Sequence, residues 1–305
     1  MTGVLRPGHT QLRVLDLEES IDFYSNIMGL VFQGKDEQGR AYFKAADERD
    51  HHSLILREAD SAGMDFYGFK VLDEATLNKL EADLNEYGVP TERIPAGEML
   101  ETGERVRFVA PTKHVFELYW ERTEVGDGLG YENPGVRVDG PGGICPVRLD
   151  HWQIHGADLD GSRDLFINVL GFYLVEHIVD EEGKDVAVWM SCSTKAHDIA
   201  FVRDERDNTL HHAAYLLESW ERVLHAADVM SAKGVSLDSG PLRHGITKGK
   251  TIYAFDPSGN RFETFSGGYE TYPDNKPLTW TLDQMGAAVF YHTRELNERF
   301  LTVVT

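Results

Sequence analysis

Apolar residues recur along this chain with two periods, and the periods alternate. Around 147–154 the segment is strand-like, with alternate residues facing one side, which predicts a half-buried strand. Next, Leu165, Phe166, Val169 and Leu170 fall on one helical stripe that stops at Gly171. Strand-like segments follow at 186–192 and 198–203. The first half repeats the order, with Phe23, Tyr24, Ile27 and Met28 ahead of Gly29, then strands at 40–45 and 53–57. A further unit in each half opens near 67–71 and 211–217 and continues with helices over 74–87 and 220–233, which run into Gly88 and Gly234. Strands at 117–120 and 263–265 close the halves. These elements predict an α+β protein of two homologous domains, each of two paired β-α-β-β-β modules with curved mixed sheets.

The repeat is visible in the letters as well as the periods. His9, Gln11, Asp16, Leu17, Ser20, Asp22, Asn26 and Gly29 recur as His151, Gln153, Asp158, Leu159, Ser162, Asp164, Asn168 and Gly171, at a shift of 142 residues. DEQGR at 36–40 answers DEEGK at 180–184, and PTKHVFE at 111–117 answers PSGNRFE at 257–263, where the shift has grown to 146. Small insertions explain the drift. The expected organisation is a first domain at 1–122, a Gly- and Pro-rich linker at 123–145, a second domain at 146–271 and an extension at 272–305 with no counterpart in the first half.

Composition narrows the function. The chain has 305 residues, 41% hydrophobic and 27% charged, as in an ordinary globular protein. No apolar run approaches the ~20 residues of a membrane helix. The N-terminus lacks a basic segment followed by an apolar one. Cys145 and Cys192 form no CxxC motif, so a reducing cytoplasm fits. A net charge of −21 excludes nucleic acid and anionic membrane as partners, and leaves a small neutral or weakly acidic substrate.

The histidines point to the second half. Ten of thirteen lie beyond residue 113. If 256–260 form a turn, Tyr253 stands directly across a hairpin from Glu263, on the same face. His151 and His212, on opening strands, can converge with Glu263. Two imidazoles and one carboxylate on a face leave room for small molecules on a metal, which suits non-haem Fe(II); Mn(II) and Zn(II) accept the same donors. A lone histidine is more often a surface or core residue, so the repeat context carries this expectation. His211 competes with His212, and strand alternation lets only one reach the metal. Trp189 either walls a pocket or belongs to the core. The first half keeps His9 and Glu117 but has no histidine over 53–113, and Arg107 stands where Tyr253 does. An Arg107–Glu117 ion pair would silence that site.

The segments HGITKGKTIYAFDPSGNRFETF (244–265), STKAHDIAF (193–201) and LHHAAYLLE (210–218) resemble the extradiol ring-cleaving dioxygenases, along essentially the whole chain. The resemblance implies the vicinal-oxygen-chelate (glyoxalase-like) fold, with His151, His212 and Glu263 as ligands of Fe(II) and His197, His244 and Tyr253 as catalytic residues. It also implies cleavage of catechol or a substituted catechol by dioxygen to a 2-hydroxymuconic semialdehyde, by a homotetramer. His244 and Tyr253 would hydrogen-bond the ring oxygens, and His197 would act as general acid. The rival expectations are a glyoxalase-like lyase or isomerase without dioxygen, and a metal-free aromatic-binding module.

Overall fold

The computed structural model describes residues 3–138 and 140–305. The first sheet has eight strands: β1 (Val4–Val14), β2 (Val31–Lys35), β3 (Ala41–Lys44), β4 (Leu54–Glu58), β5 (Gly63–Val71), β6 (Thr91–Ile94), β7 (Arg105–Val109) and β8 (Val115–Tyr119). Their spatial order is β2-β3-β4-β1-β5-β8-β7-β6. Each half of that order is one β-α-β-β-β module, and antiparallel pairing of β1 with β5 joins the two. The second sheet repeats the plan with β9 (Arg148–Gly156), β10 (Tyr173–Val179), β11 (Asp185–Ser191), β12 (Ile199–Arg203), β13 (Thr209–Leu216), β14 (Leu237–Arg243), β15 (Gly249–Phe255) and β16 (Arg261–Gly267). Here the opening strands β9 and β13 pair.

Local chemistry explains the helices. In α2 (Glu74–Tyr87) the Asp73 carboxylate caps the start by accepting from the Thr76 amide, and Gly88 ends it at φ 94°, a left-handed conformation that glycine adopts freely. The helices α3 (Leu159–Asn168) and α4 (Trp220–Ala232) begin in the same way at Asp158 and Ser219. The first module departs from the simple helix expected. After α1 (Leu17–Asp22) the chain widens into a π-turn over Phe23–Ile27, which buries Phe23 and Tyr24. Between β8 and β9, no helix or strand longer than an isolated bridge occurs among the described residues.

One apolar core spans both sheets, with Trp152 against Tyr67 and Phe69. The β15–β16 turn of the second half docks on the first. Asp256 accepts from the Tyr24 hydroxyl at 3.0 Å, and Asn260 accepts from the Gly63 amide at 2.7 Å. The C-terminal extension does more than pack against this body. Its strand β17 (Leu278–Thr281) pairs parallel with β10 and makes the second sheet nine-stranded, and α5 (Met285–Val289) and α6 (Glu298–Thr302) follow. No described helix is long and apolar enough to cross a membrane.

Candidate metal centre and active site

Strand register brings the expected donors together. Tyr253 pairs with Glu263 across the β15–β16 hairpin, as the five-residue turn predicted. Parallel pairing sets Ala214 beside Glu263, and antiparallel pairing sets Ala214 beside His151, so β9, β13 and β16 deliver His151, His212 and Glu263 to one face. Their donor atoms lie within 4.8 Å of one another, all buried. His151 Nε2 is 3.0 Å and His212 Nε2 3.1 Å from Glu263 Oε2.

The outer nitrogens show how these rings are held. His151 Nδ1 is 3.0 Å from Asp150 Oδ1, so this nitrogen carries the hydrogen and the Nε2 lone pair faces Glu263. His212 Nδ1 is 2.7 Å from His211 Nδ1, while His211 Nε2 donates to the Phe300 carbonyl at 2.7 Å. The bond to Phe300 makes His211 Nδ1 an acceptor, so His212 donates from Nδ1 and also presents its Nε2 lone pair. Two imidazole lone pairs and a carboxylate, each tied from behind, fit a divalent cation.

Electrostatics agree. Burial alone would raise the Glu263 carboxyl, but the imidazoles of His151 and His212 against it hold it well below the usual carboxylate range. Burial, against the pull of Glu263, brings His212 down to about 4. At neutral pH the set therefore holds an ionised carboxylate beside a neutral His212, while hydrogen bonds to Asp150 and Glu263 outweigh burial and raise His151 above its ordinary value.

His197 and the His244–Tyr253 pair flank this set. The His197 ring lies 3.9 Å from that of His151, centroid to centroid, and burial followed by the neighbouring His151 pushes its pKa well below the ordinary value. His244 Nε2 is 2.8 Å from the Tyr253 hydroxyl, and its Nδ1 donates to the Val289 carbonyl at 2.5 Å. Burial lowers His244; burial and Glu263 raise Tyr253 well above its usual range. Trp189 is both wall and core: it lines a cavity of about 660 Å³ together with Ile178, Ala187, Ile246 and Met285, and packs in a small apolar cluster with them. All seven expected residues line this one cavity.

Strand alternation does not separate His211 from His212. The pairing of β13 with β9 slips between Leu210 and His212, and the bulge puts the two rings in contact. His211 is excluded from the donor set because its nitrogens are already engaged. Sequence reasoning also missed the contributions of the extension. Phe300 packs 4.8 Å from the rings of both Tyr253 and His211, and Val289 fixes His244. A tail without a counterpart in the first half gave no repeat signal to find them.

The corresponding place in the first sheet is filled differently. Arg107 pairs with Glu117 across β7–β8 and donates to its Oε1 from Nε at 3.0 Å and Nη2 at 2.6 Å. Arg105, fully buried, donates to Oε2 at 2.9 Å, and His9 Nε2 lies 3.1 Å from the same oxygen. Phe66 occupies the register position of His212. His52 stands where His197 does, since β4 and β12 pair in the same register with β1 and β9.

Comparison with known proteins places this geometry. Residues 148–264 match the Glyoxalase/Bleomycin resistance protein/Dioxygenase superfamily, which defines the class, and residues 64–123 match a catechol 2,3-dioxygenase-like N-terminal domain. The chain is 52% identical over 304 residues to the metapyrocatechase of Pseudomonas sp. (strain CF600), covering 99% of each. The structure is similar to that of the 2,3-dioxygenase LapB from Pseudomonas sp. KL28, with a TM-score of 0.91 and 59% identity over 93% of this chain and 99% of that one. It is also similar to homoprotocatechuate 2,3-dioxygenase from Brevibacterium fuscum in complex with 3,4-dihydroxyphenylacetate, with a TM-score of 0.89 and 28% identity over 99% of this chain and 93% of that one. A manganese-dependent 2,3-dihydroxybiphenyl 1,2-dioxygenase of Geobacillus genomosp. 3 is 29% identical, covering 95% of this chain and 94% of that one. The chain belongs to the extradiol ring-cleaving dioxygenases and is a metalloenzyme of the metapyrocatechase type.

Proposed function

We propose that the enzyme cleaves catechol or a substituted catechol beside one hydroxyl, with both atoms of dioxygen entering a 2-hydroxymuconic semialdehyde, and that His151, His212 and Glu263 hold Fe(II) for this reaction. The observation that carries the reading is one buried N,N,O donor set with a neutral imidazole on one side and an imidazole–phenol pair on the other. When bound, a divalent cation of this kind lowers the pKa of a chelated hydroxyl and leaves positions for small molecules.

The protein's own groups do the rest. His244 holds its Nδ1 hydrogen on the Val289 carbonyl, so its Nε2 accepts from the Tyr253 hydroxyl. That pair receives the proton released by a catechol hydroxyl: the phenol turns toward the ring oxygen while Nε2 takes the charge. His197 serves as the acid–base group on the other side: its neutral imidazole takes up the second proton the catechol releases and returns it later in the reaction as general acid, which its lowered pKa favours. Trp189, Ile178, Ala187 and Ile246 form apolar walls that exclude water and hold the ring edge-on to the donor set. Two free cysteines and the acidic surface support a cytoplasmic enzyme, and a homotetramer is part of the same reading.

The test loads metal-free protein anaerobically with Fe(II) or Mn(II), then follows dioxygen uptake and ring-opened product across catechol, methylcatechols and chlorocatechols. Stoichiometric uptake and product with Fe(II) are expected. Turnover without dioxygen, or with Mn(II) alone, would overturn the reading.

A further inference from the structure

The end of the chain reaches the metal centre through two hydrogen bonds. In α6 the Phe300 carbonyl lies in the last turn, where carbonyls have no partner within the helix. It accepts from His211 Nε2 at 2.7 Å, and His211 Nδ1 in turn accepts from His212 Nδ1 at 2.7 Å. His211 is held for this task, stacked on His155 at 5.1 Å with 17° between the rings, and in T-shaped contact with Phe300 at 4.8 Å. The segment itself is fastened at several points. Leu210 and Thr305 exchange backbone hydrogen bonds of 2.8 and 3.0 Å. Arg261 donates to the Val303 carbonyl at 2.7 Å while its Nε pairs with buried Asp238 at 3.0 Å. The fastened residues Leu210 and Arg261 begin or adjoin the strands that carry His212 and Glu263.

We infer that His211 and the C-terminal segment 298–305 are positioning elements of the metal site: the Phe300 carbonyl fixes the hydrogen of His211 on Nε2, and His211 then fixes the ring of His212 with its Nε2 lone pair turned inward. The inference rests on the assignment of His212 as a ligand. Outer partners of ligand histidines are generally worth roughly 10–100-fold in metal affinity. The β13 bulge follows from this role, because without the slip at Leu210 the two rings would stand on opposite faces.

The experiment measures Mn(II) affinity by competition with a chelator, without turnover, in the full chain. His211→Leu removes the acceptor for His212, and a loss of roughly 10–100-fold is expected. His211→Asn keeps an oxygen near the place of Nδ1 and should recover most of that loss. Deleting 298–305 should weaken binding in the parent but add little to His211→Leu, since both break one chain of bonds. Unchanged affinity in His211→Leu, equal losses in the Leu and Asn variants, or additive losses with the deletion would each overturn the inference. Failure of the underlying assignment reads differently: the unaltered protein, or His212→Ala, would show that Mn(II) does not depend on His212 at all.

Discussion

Each half of the chain closes on a hairpin glutamate, Glu117 in the first and Glu263 in the second, and each glutamate meets a histidine from the opening strand at 3.0–3.1 Å. What surrounds these pairs differs. Glu263 has a second imidazole and a phenol beside it; Glu117 has two guanidinium groups, and a phenyl ring where the second imidazole would be. A buried carboxylate set among imidazoles suits a metal cation, whereas a carboxylate with two arginines already has its cations. Burial raises and the bonds from His9 and the arginines lower the Glu117 carboxyl, to a net value of about 2, and burial with the nearby Arg122 brings His9 to about 3. The same fold thus yields a donor set or an internal salt bridge, depending on two positions of the hairpin and one of the strand beside it.

The sharpest way to break this contrast is to give the second half the first half's residue. His212→Phe, which copies Phe66, should abolish both metal retention and ring cleavage, read by metal analysis and dioxygen uptake. Next in size, His197→Ala should keep its metal and bind catechol anaerobically, yet lose rate on the order of 10²–10⁴-fold in single-turnover assays. Near-normal turnover would remove His197 from the mechanism.

Changes in the first half should fall on stability. Arg105→Met leaves a buried carboxylate short of a partner and should cost about 3 kcal/mol in urea unfolding. Arg107→Met should cost about 1–2 kcal/mol, less because Arg107 is partly exposed. Ring cleavage per metal should stay within about 2-fold in both. Acid gives the smallest effect. Glu117 titrates below its ordinary value of 4.5, so its contribution is complete above that pH and is lost as pH falls toward about 2. Glu117→Gln should accordingly show a shallower fall in stability over that window than the parent.

Much of this contrast was legible beforehand, for a physical reason. A turn of five residues and a side-chain period of two fix which residues face each other, so Tyr253–Glu263 and Arg107–Glu117 followed from counting. The helix at 74–87 was bounded by Gly88, where it does end. What the chain hid depends on contacts between distant segments or on slips in register. Phe66 fills the first site only once β5 pairs with β8, about 50 residues further along the chain. The bulge at His211 undid the alternation argument, and the π-turn at Phe23–Ile27 interrupted a simple helix. Phe300 and Val289 act through backbone carbonyls, which no side-chain pattern records.

The central claim, one live centre and one silenced copy, is tested most directly by counting metal. Protein loaded anaerobically with excess Fe(II) and freed of unbound ion should hold about one ion per chain. Glu263→Ala should hold essentially none, and Glu117→Gln should still hold one. Two ions per chain, or an ion kept by Glu263→Ala and lost from Glu117→Gln, would contradict the account.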